Sequence, residues 1–174
     1  MVPELKLVRE PALESAPAPE FLAAMSELAS GVALVTCHVG GRPWGMTVTA
    51  FTSVSADPPV VLVSLRSDGA SATAIRSSRR FAVNILAEGQ EVLARRGAAP
   101  GAPKFVDDLV IAGALAHVDC ELVRAVEIAD HTVLFGRVVA ADVHHDGGAL
   151  VYHRRDYRAV ADLVKAKEMT CLFS

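Results

Sequence analysis

Apolar residues return at helical spacing near the start of the chain and form strand-like runs after it. Between Pro19 and Ser30, four large apolar residues recur on one side of a helix: Phe21, Leu22, Met25 and Leu28. Proline suits a first helical turn, and Gly31 suits a helix end. The pattern predicts a short amphipathic helix, after which the chain becomes apolar and β-branched.

The rest of the chain alternates between apolar runs and turn-forming residues. Gly40-Gly41 predicts a tight hairpin turn between the first two strands. The predicted strands are GVALVTCHV, WGMTVTAFTSVS, VVLVSL, FAVNIL, ALAHVDCELV, HTVLFGRVVAADV, GALVYHRR and YRAV. Short helices are predicted near Ser71 and over residues 88–96, and Asp146-Gly147-Gly148 predicts a turn. Many strands in meander order with few helices favour a mainly β, closed barrel, because closure removes exposed sheet edges.

Composition divides the chain into three parts. Its 174 residues suit one domain. We predict that residues 1–20 form an N-terminal arm, because prolines interrupt any helical or strand periodicity there. We predict that residues 21–160 form the folded domain and that residues 161–174 form a C-terminal tail.

Charge and cysteine usage narrow the possible environments. The formal net charge of −3 gives no basic footprint for nucleic acid or an anionic membrane. No run approaches the ~20 apolar residues of a membrane span, and the start of the chain lacks the apolar run of a signal peptide. Cys37, Cys120 and Cys171 are odd in number and form no CxxC pair, which favours a reducing cytoplasm over a disulfide framework.

Several enzyme classes find no support in the motifs. The chain has no GxGxxG after a strand, no Walker motif and no GxSxG elbow. Its histidines show no HExxH or similar ligand spacing, so we predict no metal site.

Two segments carry candidate chemistry. RSDGASAT, which follows a predicted strand, is a loop of small and hydroxyl residues before a helix, and its backbone N–H groups could hold a phosphate monoester. An ordinary polar loop with a helix cap fits it equally well. The segment GMTVTAF is uncharged, and its backbone N–H and C=O groups could form hydrogen bonds with the pyrimidine edge of a flavin ring. A half-buried strand without a ligand is the simpler interpretation of that pattern.

Four separated segments resemble, in the same order, the flavin reductase family with the FMN-binding split-barrel fold. They are RPWGMTVTAFTSVSADPPVVLVSL, FAVNIL, ADHTVLFGRVV and ALVYHRRDYR. The resemblance extends from about Phe21 to Val160. It implies a mainly β, six-stranded FMN-binding split β-barrel with a few short flanking helices. It also implies a homodimer with the flavin near the subunit interface.

The resemblance further implies site residues. The implied flavin-binding residues are Met46, Thr47, Val48 and Thr49 at the isoalloxazine, Ser64, Leu65, Arg66, Ser67, Ala70 and Ser71 at the ribityl chain and phosphate, and Phe81 and Asn84 at the flavin's tail. His131 follows Asp130 as in the family's Gly-Asp-His, with Ala129 in place of the glycine, and is a candidate for contact with the flavin or the nicotinamide. His153 and Arg154 are the implied nicotinamide-side residues, and Pro103-Lys104-Phe105 resembles a family loop near the flavin.

The function implied is an NAD(P)H:flavin oxidoreductase. The cofactor would be FMN, with FAD as the alternative, and the reductant NADH or NADPH. Reduced flavin would pass to a partner monooxygenase. Three other functions stay open: a non-catalytic FMN-binding module for electron transfer or sensing, a related barrel oxidase acting on a phosphorylated vitamin, and a structural protein with an empty barrel.

Overall fold

The structure, a computed structural model, describes residues 16–144 and 147–161. The helices are α1 (Ala18–Ser26), α2 (Ala70–Ser78) and α3 (Glu91–Ala98). The strands are β1 (Ser30–Gly31), β2 (Ala33–Val39), β3 (Arg42–Val48), β4 (Phe51–Ala56), β5 (Pro59–Arg66), β6 (Arg80–Ile85), β7 (Ala116–Ile128), β8 (His131–Val143), β9 (Leu150–His153) and β10 (Asp156–Ala159). The mainly β prediction is confirmed. Most of the predicted arm and tail, Cys171 and Asp146 lie outside the described residues.

Seven strands form the main antiparallel sheet in the order β3-β2-β6-β7-β8-β5-β4. Its two edge strands, β3 and β4, are consecutive in the chain, with only Thr49 and Ala50 between them. Three residue steps from Val48 to Phe51 reach at most about 11 Å. The two edges of the sheet therefore lie near each other, and the sheet must curl into a barrel.

The predicted strand WGMTVTAFTSVS is interrupted at Thr49-Ala50. Its first half pairs with β2 and its second half pairs with β5 on the other side of the curled sheet. The main sheet therefore has seven strands instead of the six expected, because this one predicted strand forms both β3 and β4, which pair with different neighbours. No proline or glycine marks the break, so tertiary pairing decides where it falls.

The interior of the barrel holds the main apolar core. The strands contribute Val35, Val63, Val83 and Leu134, and α2 covers this core with Ala72 and Ile75. A second apolar cluster lies on the outer face of the sheet, where Leu34 packs with Ala94 of α3. The small sheet β1-β9-β10 joins this cluster through hydrogen bonds of 3.0 Å among Val32, Leu86 and Leu150.

Gly136 on β8 allows Phe81 to lie across the barrel interior. A Cβ at Gly136 would lie 2.5 Å from Cζ of Phe81 and 3.0 Å from Cβ of Cys120. We expect Gly136→Ala to lower the free energy of unfolding by about 2 kcal/mol, because the packed core must shift to admit the methyl group. Urea unfolding measures this change. The control is Gly31→Ala, where nothing lies within 4 Å; equal stability of the two variants would contradict the expectation.

Candidate functional site

The hydroxyl loop, residues 64–71, runs from the end of β5 into α2 and is fixed to the neighbouring hairpin. The backbone N–H of Ser67 donates to the carbonyl of Asp130 at 2.9 Å. The hydroxyl groups of Ser67 and Thr132 share a hydrogen bond of 2.8 Å, and Thr132 is fully buried. Two hydrogen bonds, one of them shielded from water, therefore hold the loop in place.

The N-terminus of α2 is open to an anion. Gly69 is the N-cap, no side chain among the described residues caps the helix, and its first turn carries no acidic residue. First-turn N–H groups have no partner within a helix and carry the positive end of its dipole. The carboxylate of Asp68, next to the N-cap, is turned to Arg66 instead, with contacts of 3.0 and 2.9 Å. This donor set fits a phosphate monoester.

Arg66, which the resemblance implies at the ribityl chain and phosphate, is paired with two carboxylates. Its guanidinium contacts Asp130 at 3.3 Å as well as Asp68. The hydrogen bond from Arg66 lowers the pKa of Asp68, and the hydrogen bond from His131 is the main cause that lowers the pKa of Asp130. Both carboxylates therefore stay ionised and neutralise Arg66, so backbone N–H groups are the principal donors for an anion here.

Ser71 does not present its hydroxyl at the surface of the hydroxyl loop. The side chain is buried, and its Oγ has no hydrogen-bond partner among the described residues. It lies near the thiol of Cys37 without making a hydrogen bond of normal geometry. Burial raises the pKa of that thiol to about 11, and the Ser71 hydroxyl opposes the rise. Leu65 also points into the core, while Ala70 is exposed at the mouth of the loop.

The end of β3 meets the hydroxyl loop. The N–H of Ser64 donates to the carbonyl of Ala50 at 3.0 Å, which places Thr49 beside the start of the loop. Thr49 is exposed, Met46 is half-buried against the interior core, and Val48 is buried in it. The structure therefore brings together the two segments that the sequence singled out.

Thr47 faces the other way. Its hydroxyl donates to the carbonyl of Ala94 on α3 at 2.8 Å. A Cβ at Gly97 would lie 2.3 Å from the Thr47 hydroxyl and 3.0 Å from its backbone N. Glycine at position 97 thus lets α3 lie against β3, and the side chain of Thr47 is used in that packing.

The loop around residues 103–105 covers part of the free edge of β3. The N–H of Gly45 donates to the carbonyl of Lys104 at 2.8 Å. Phe105 packs edge-on to Trp44, with ring centres 5.0 Å apart. The ammonium of Lys104 donates to the carbonyl of Ala99 and is largely buried, so it stabilises the loop.

His131 lies at the hydroxyl loop. Its backbone pairs with Arg66 across β5 and β8, and its Nδ1 lies 2.7 Å from Oδ1 of Asp130. A carboxylate only accepts, so Nδ1 carries the proton and donates. The hydrogen bond orients the ring and leaves Nε2 for another partner. The pairing with Arg66 places His131 beside the hydroxyl loop, and its contact with the flavin or the nicotinamide stays a prediction.

The turn before His131 forms although alanine replaces the family's glycine. Ala129 has a φ of 52°, in the left-handed region. We expect Ala129→Gly to raise the free energy of unfolding by about 0.5 kcal/mol, because relief of about 1 to 2 kcal/mol of backbone strain exceeds the added entropy of the unfolded chain. Urea unfolding tests this, and a loss of stability would contradict it.

Phe81 and Asn84 do not join this group. Phe81 is packed in the barrel interior against Gly136. Asn84 is fully buried, and its amide donates to the carbonyl of Leu109 at 3.0 Å. Its Oδ1 accepts from the N–H of Ile111 at 2.9 Å and lies 3.0 Å from Nδ1 of His117. Its polar atoms are therefore used to hold the loop after α3, and we leave it out of the flavin site.

His153 is the last residue of β9 in the small sheet, and Arg154 lies in the turn that follows it. Arg154 contacts the carboxylate of Glu27 at 2.8 Å, and its backbone N–H donates to the carbonyl of Ser26 at 2.8 Å. These contacts hold the C-terminal end of α1 against the turn after β9. Among the described residues, no hydrogen bond or salt bridge joins Arg154 to His131 or to the hydroxyl loop.

Comparison with known proteins agrees with this geometry. A family model described as "Flavin reductase like domain" matches residues 25–161. The chain belongs to this family. Among relatives, it is 39% identical over 143 residues to the reductase component of a 4-nitrophenol 4-monooxygenase/4-nitrocatechol 2-monooxygenase from Rhodococcus opacus, covering 78% of this chain and 77% of the relative.

Two further relatives of the flavin reductase-like domain are similar over most of their length. The flavin reductase (NADH) of Kitasatospora aureofaciens is 35% identical over 150 residues, covering 79% of this chain and 78% of that protein. The structure of BorF, the flavin reductase component of a bacterial two-component tryptophan halogenase, superposes with a TM-score of 0.75 at 32% identity, covering 82% of this chain and 98% of BorF.

Sequence reasoning missed Thr132 in this flavin reductase-like domain. Its signal was a polar residue at a position facing the interior, since Thr132, Leu134 and Gly136 alternate inward along β8. A buried hydroxyl needs a partner, and Ser67 supplies it.

None of the helices in the described part of the chain has the length and apolar character of a membrane-spanning helix. The described residues also contain no group of three candidate metal ligands.

Proposed function

We propose that this protein is an NADH-dependent flavin reductase that supplies reduced flavin to a partner monooxygenase. The observation that carries the proposal is the meeting of the hydroxyl loop, the uncapped start of α2 and the exposed end of β3 at Thr49. A phosphate group and a flat ring joined by a short chain match this arrangement of an anion site beside an exposed strand end.

The residues of this chain bind and orient rather than react. A bound flavin supplies the acceptor for the hydride that a reduced nicotinamide donates. The N–H groups at the start of α2 hold the phosphate, and the Ser67–Thr132 hydrogen bond keeps them in position. His131, oriented by Asp130, presents Nε2 toward the nicotinamide side. No side chain has to give or take a proton for this step, so we expect no single substitution to abolish it.

The working form we propose is a homodimer of split barrels, with residues 21–160 as the active domain. On α1, Phe21 is 57% exposed and Leu22 52%, and no residue of this helix is buried within the described chain. An amphipathic helix normally buries its apolar face. A second copy covering this face brings its own groups near His153 and Arg154. Sedimentation of Leu22→Glu tests this: a shift to monomer supports it, and a wild-type monomer contradicts it.

The partner and the compartment are also proposals. Reduced flavin is consumed by oxygen chemistry, and a monooxygenase of the same cell is the partner that the family relatives support. Cys37 and Cys120 are both buried free thiols, which suits a reducing cytoplasm.

One experiment tests the proposed activity directly. Purified protein is mixed with FMN or FAD, NADH or NADPH is added, and absorbance of the nicotinamide is followed. Rapid NADH oxidation that requires added flavin supports a reductase. Flavin binding without NADH or NADPH oxidation would instead indicate a non-catalytic electron-transfer or sensing module, and absence of flavin binding would contradict both.

A further inference from the structure

Asp130 lies in the turn between β7 and β8 and contacts both the hydroxyl loop and His131. Its Oδ1 accepts a hydrogen bond from Nδ1 of His131 at 2.7 Å, and its Oδ2 accepts one from Nη1 of Arg66 at 3.3 Å. Its backbone carbonyl accepts from the N–H of Ser67 at 2.9 Å. One carboxylate therefore connects the proposed phosphate site with the histidine proposed for the nicotinamide side.

The two side-chain partners of Asp130 hold it unequally. The hydrogen bond from His131 contributes most to the lowered pKa of Asp130, and the charge of Arg66 contributes least. Arg66 also has a second carboxylate, because it donates to both oxygens of Asp68 at 3.0 and 2.9 Å. The contact between Arg66 and Asp130 is thus the weakest of these contacts, and a competing anion would displace it first.

A phosphate at the start of α2 is such an anion. The carbonyl of Arg66 accepts from the N–H of Gly69, the N-cap residue, at 3.1 Å, so Arg66 belongs to the same turn as the uncapped N–H groups. A phosphate monoester carries a charge of about −2 at neutral pH, and its oxygens bind guanidinium groups strongly. When the phosphate takes Nη1 of Arg66, Asp130 keeps His131 as its side-chain partner.

We propose that Asp130 couples the two substrates, so that the phosphate of the flavin releases Asp130 from Arg66 and thereby fixes His131 for the nicotinamide; this inference rests on the proposed function. A carboxylate whose charge is no longer shared attracts its remaining donor more strongly. A side chain that is already fixed loses less entropy when a ligand binds. Because such coupling is reciprocal, a reduced nicotinamide also tightens the binding of a phosphorylated flavin. Asp130 acts through His131 and is therefore a positioning residue.

Equilibrium binding tests this coupling without turnover. Flavin fluorescence gives the Kd of FMN and of riboflavin with and without saturating tetrahydro-NAD, a redox-inactive analogue of NADH. We expect the analogue to tighten FMN binding about threefold, the effect of one exposed ion pair, and to leave riboflavin binding unchanged. Asp130→Asn should abolish this coupling. Equal tightening of both flavins, or coupling that survives Asp130→Asn, overturns the proposal.

Glu127→Gln is the matched control. Glu127 is an exposed carboxylate of the same hairpin, but it pairs with Arg76 on α2. This variant removes the same charge near the site and should keep the threefold coupling. If Glu127→Gln abolishes the coupling as Asp130→Asn does, the effect belongs to the charge of the hairpin and the proposal is wrong.

Arg66→Gln distinguishes release of Asp130 from simple charge attraction. With riboflavin bound, this variant should bind tetrahydro-NAD about threefold more tightly than the wild type, because Asp130 is already free of Arg66. Asp130→Asn should bind the analogue more weakly than the wild type, because a neutral amide holds His131 less firmly. Loss of a cation alone would weaken binding of the negatively charged analogue, so weaker binding to Arg66→Gln overturns the proposal.

The outcomes for the wild type separate this inference from the proposed function. A wild type that oxidises NADH with added flavin but shows no phosphate-dependent coupling refutes this inference alone. A wild type that neither binds tetrahydro-NAD nor oxidises NADH refutes both.

Discussion

Ala70→Glu is expected to weaken FMN binding about 30-fold, or about 2 kcal/mol, and to leave riboflavin binding unchanged. Ala70 is exposed at the first position of α2, whose uncapped N–H groups are the proposed phosphate donors. A carboxylate there repels the phosphate and competes for the same N–H groups. Riboflavin lacks the phosphate, so it reports on the ring site alone. Fluorescence quenching of the two flavins measures both affinities.

The same substitution should not weaken the fold. An acidic residue in the first turn of a helix stabilises it by about 0.3 to 1 kcal/mol, so the Tm of Ala70→Glu should equal or exceed that of the wild type. Val92→Glu, at a residue 82% exposed on α3, adds the same charge elsewhere. Equal losses of FMN and riboflavin affinity in Ala70→Glu, or an equal loss in Val92→Glu, would refute the phosphate site.

His131→Ala is expected to lower kcat/KM for NADH about 20-fold while changing the flavin Kd less than about threefold. The substitution removes the Nε2 group that we propose to face the nicotinamide. It keeps the backbone pairing with Arg66 and the Ser67–Thr132 hydrogen bond, which hold the hydroxyl loop. Stopped-flow reduction of bound flavin at several NADH concentrations measures the effect.

The control for this prediction is the exposed His144, which lies at the end of β8, far along the strand from His131. His144→Ala should behave as the wild type. Unchanged reduction kinetics in His131→Ala would remove this residue from the nicotinamide side. A large loss of flavin affinity would instead make it part of the flavin site.

Much of the fold could be predicted from local pattern. The bounds of β8 at residues 131–143 match the predicted strand, because its apolar alternation is long and its neighbours form turns. β7 runs to Ile128, beyond the predicted end at residue 123, because its pairing with β8 continues from Arg124 to Ile128 although these residues are mostly exposed. The break between β3 and β4 depends on long-range pairing, which local sequence does not encode.

The candidate site was predictable only where a local sequence pattern marks it. A hydroxyl-rich loop before a helix is a local signal, and the structure places that loop beside Thr49 and His131. The salt bridges of Arg66 involve Asp68 and also Asp130, which lies more than sixty positions away in the sequence. The inward orientation of Ser71 depends on which side of α2 packs on the barrel. Neither was accessible to pattern alone.

A crystal structure of the protein soaked with FMN tests the central claim most directly. The account predicts phosphate oxygens about 3 Å from the backbone nitrogens at the start of α2, with the ring beside Thr49. A phosphate bound elsewhere, or a ring separated from the end of β3 by the width of the barrel, would contradict it.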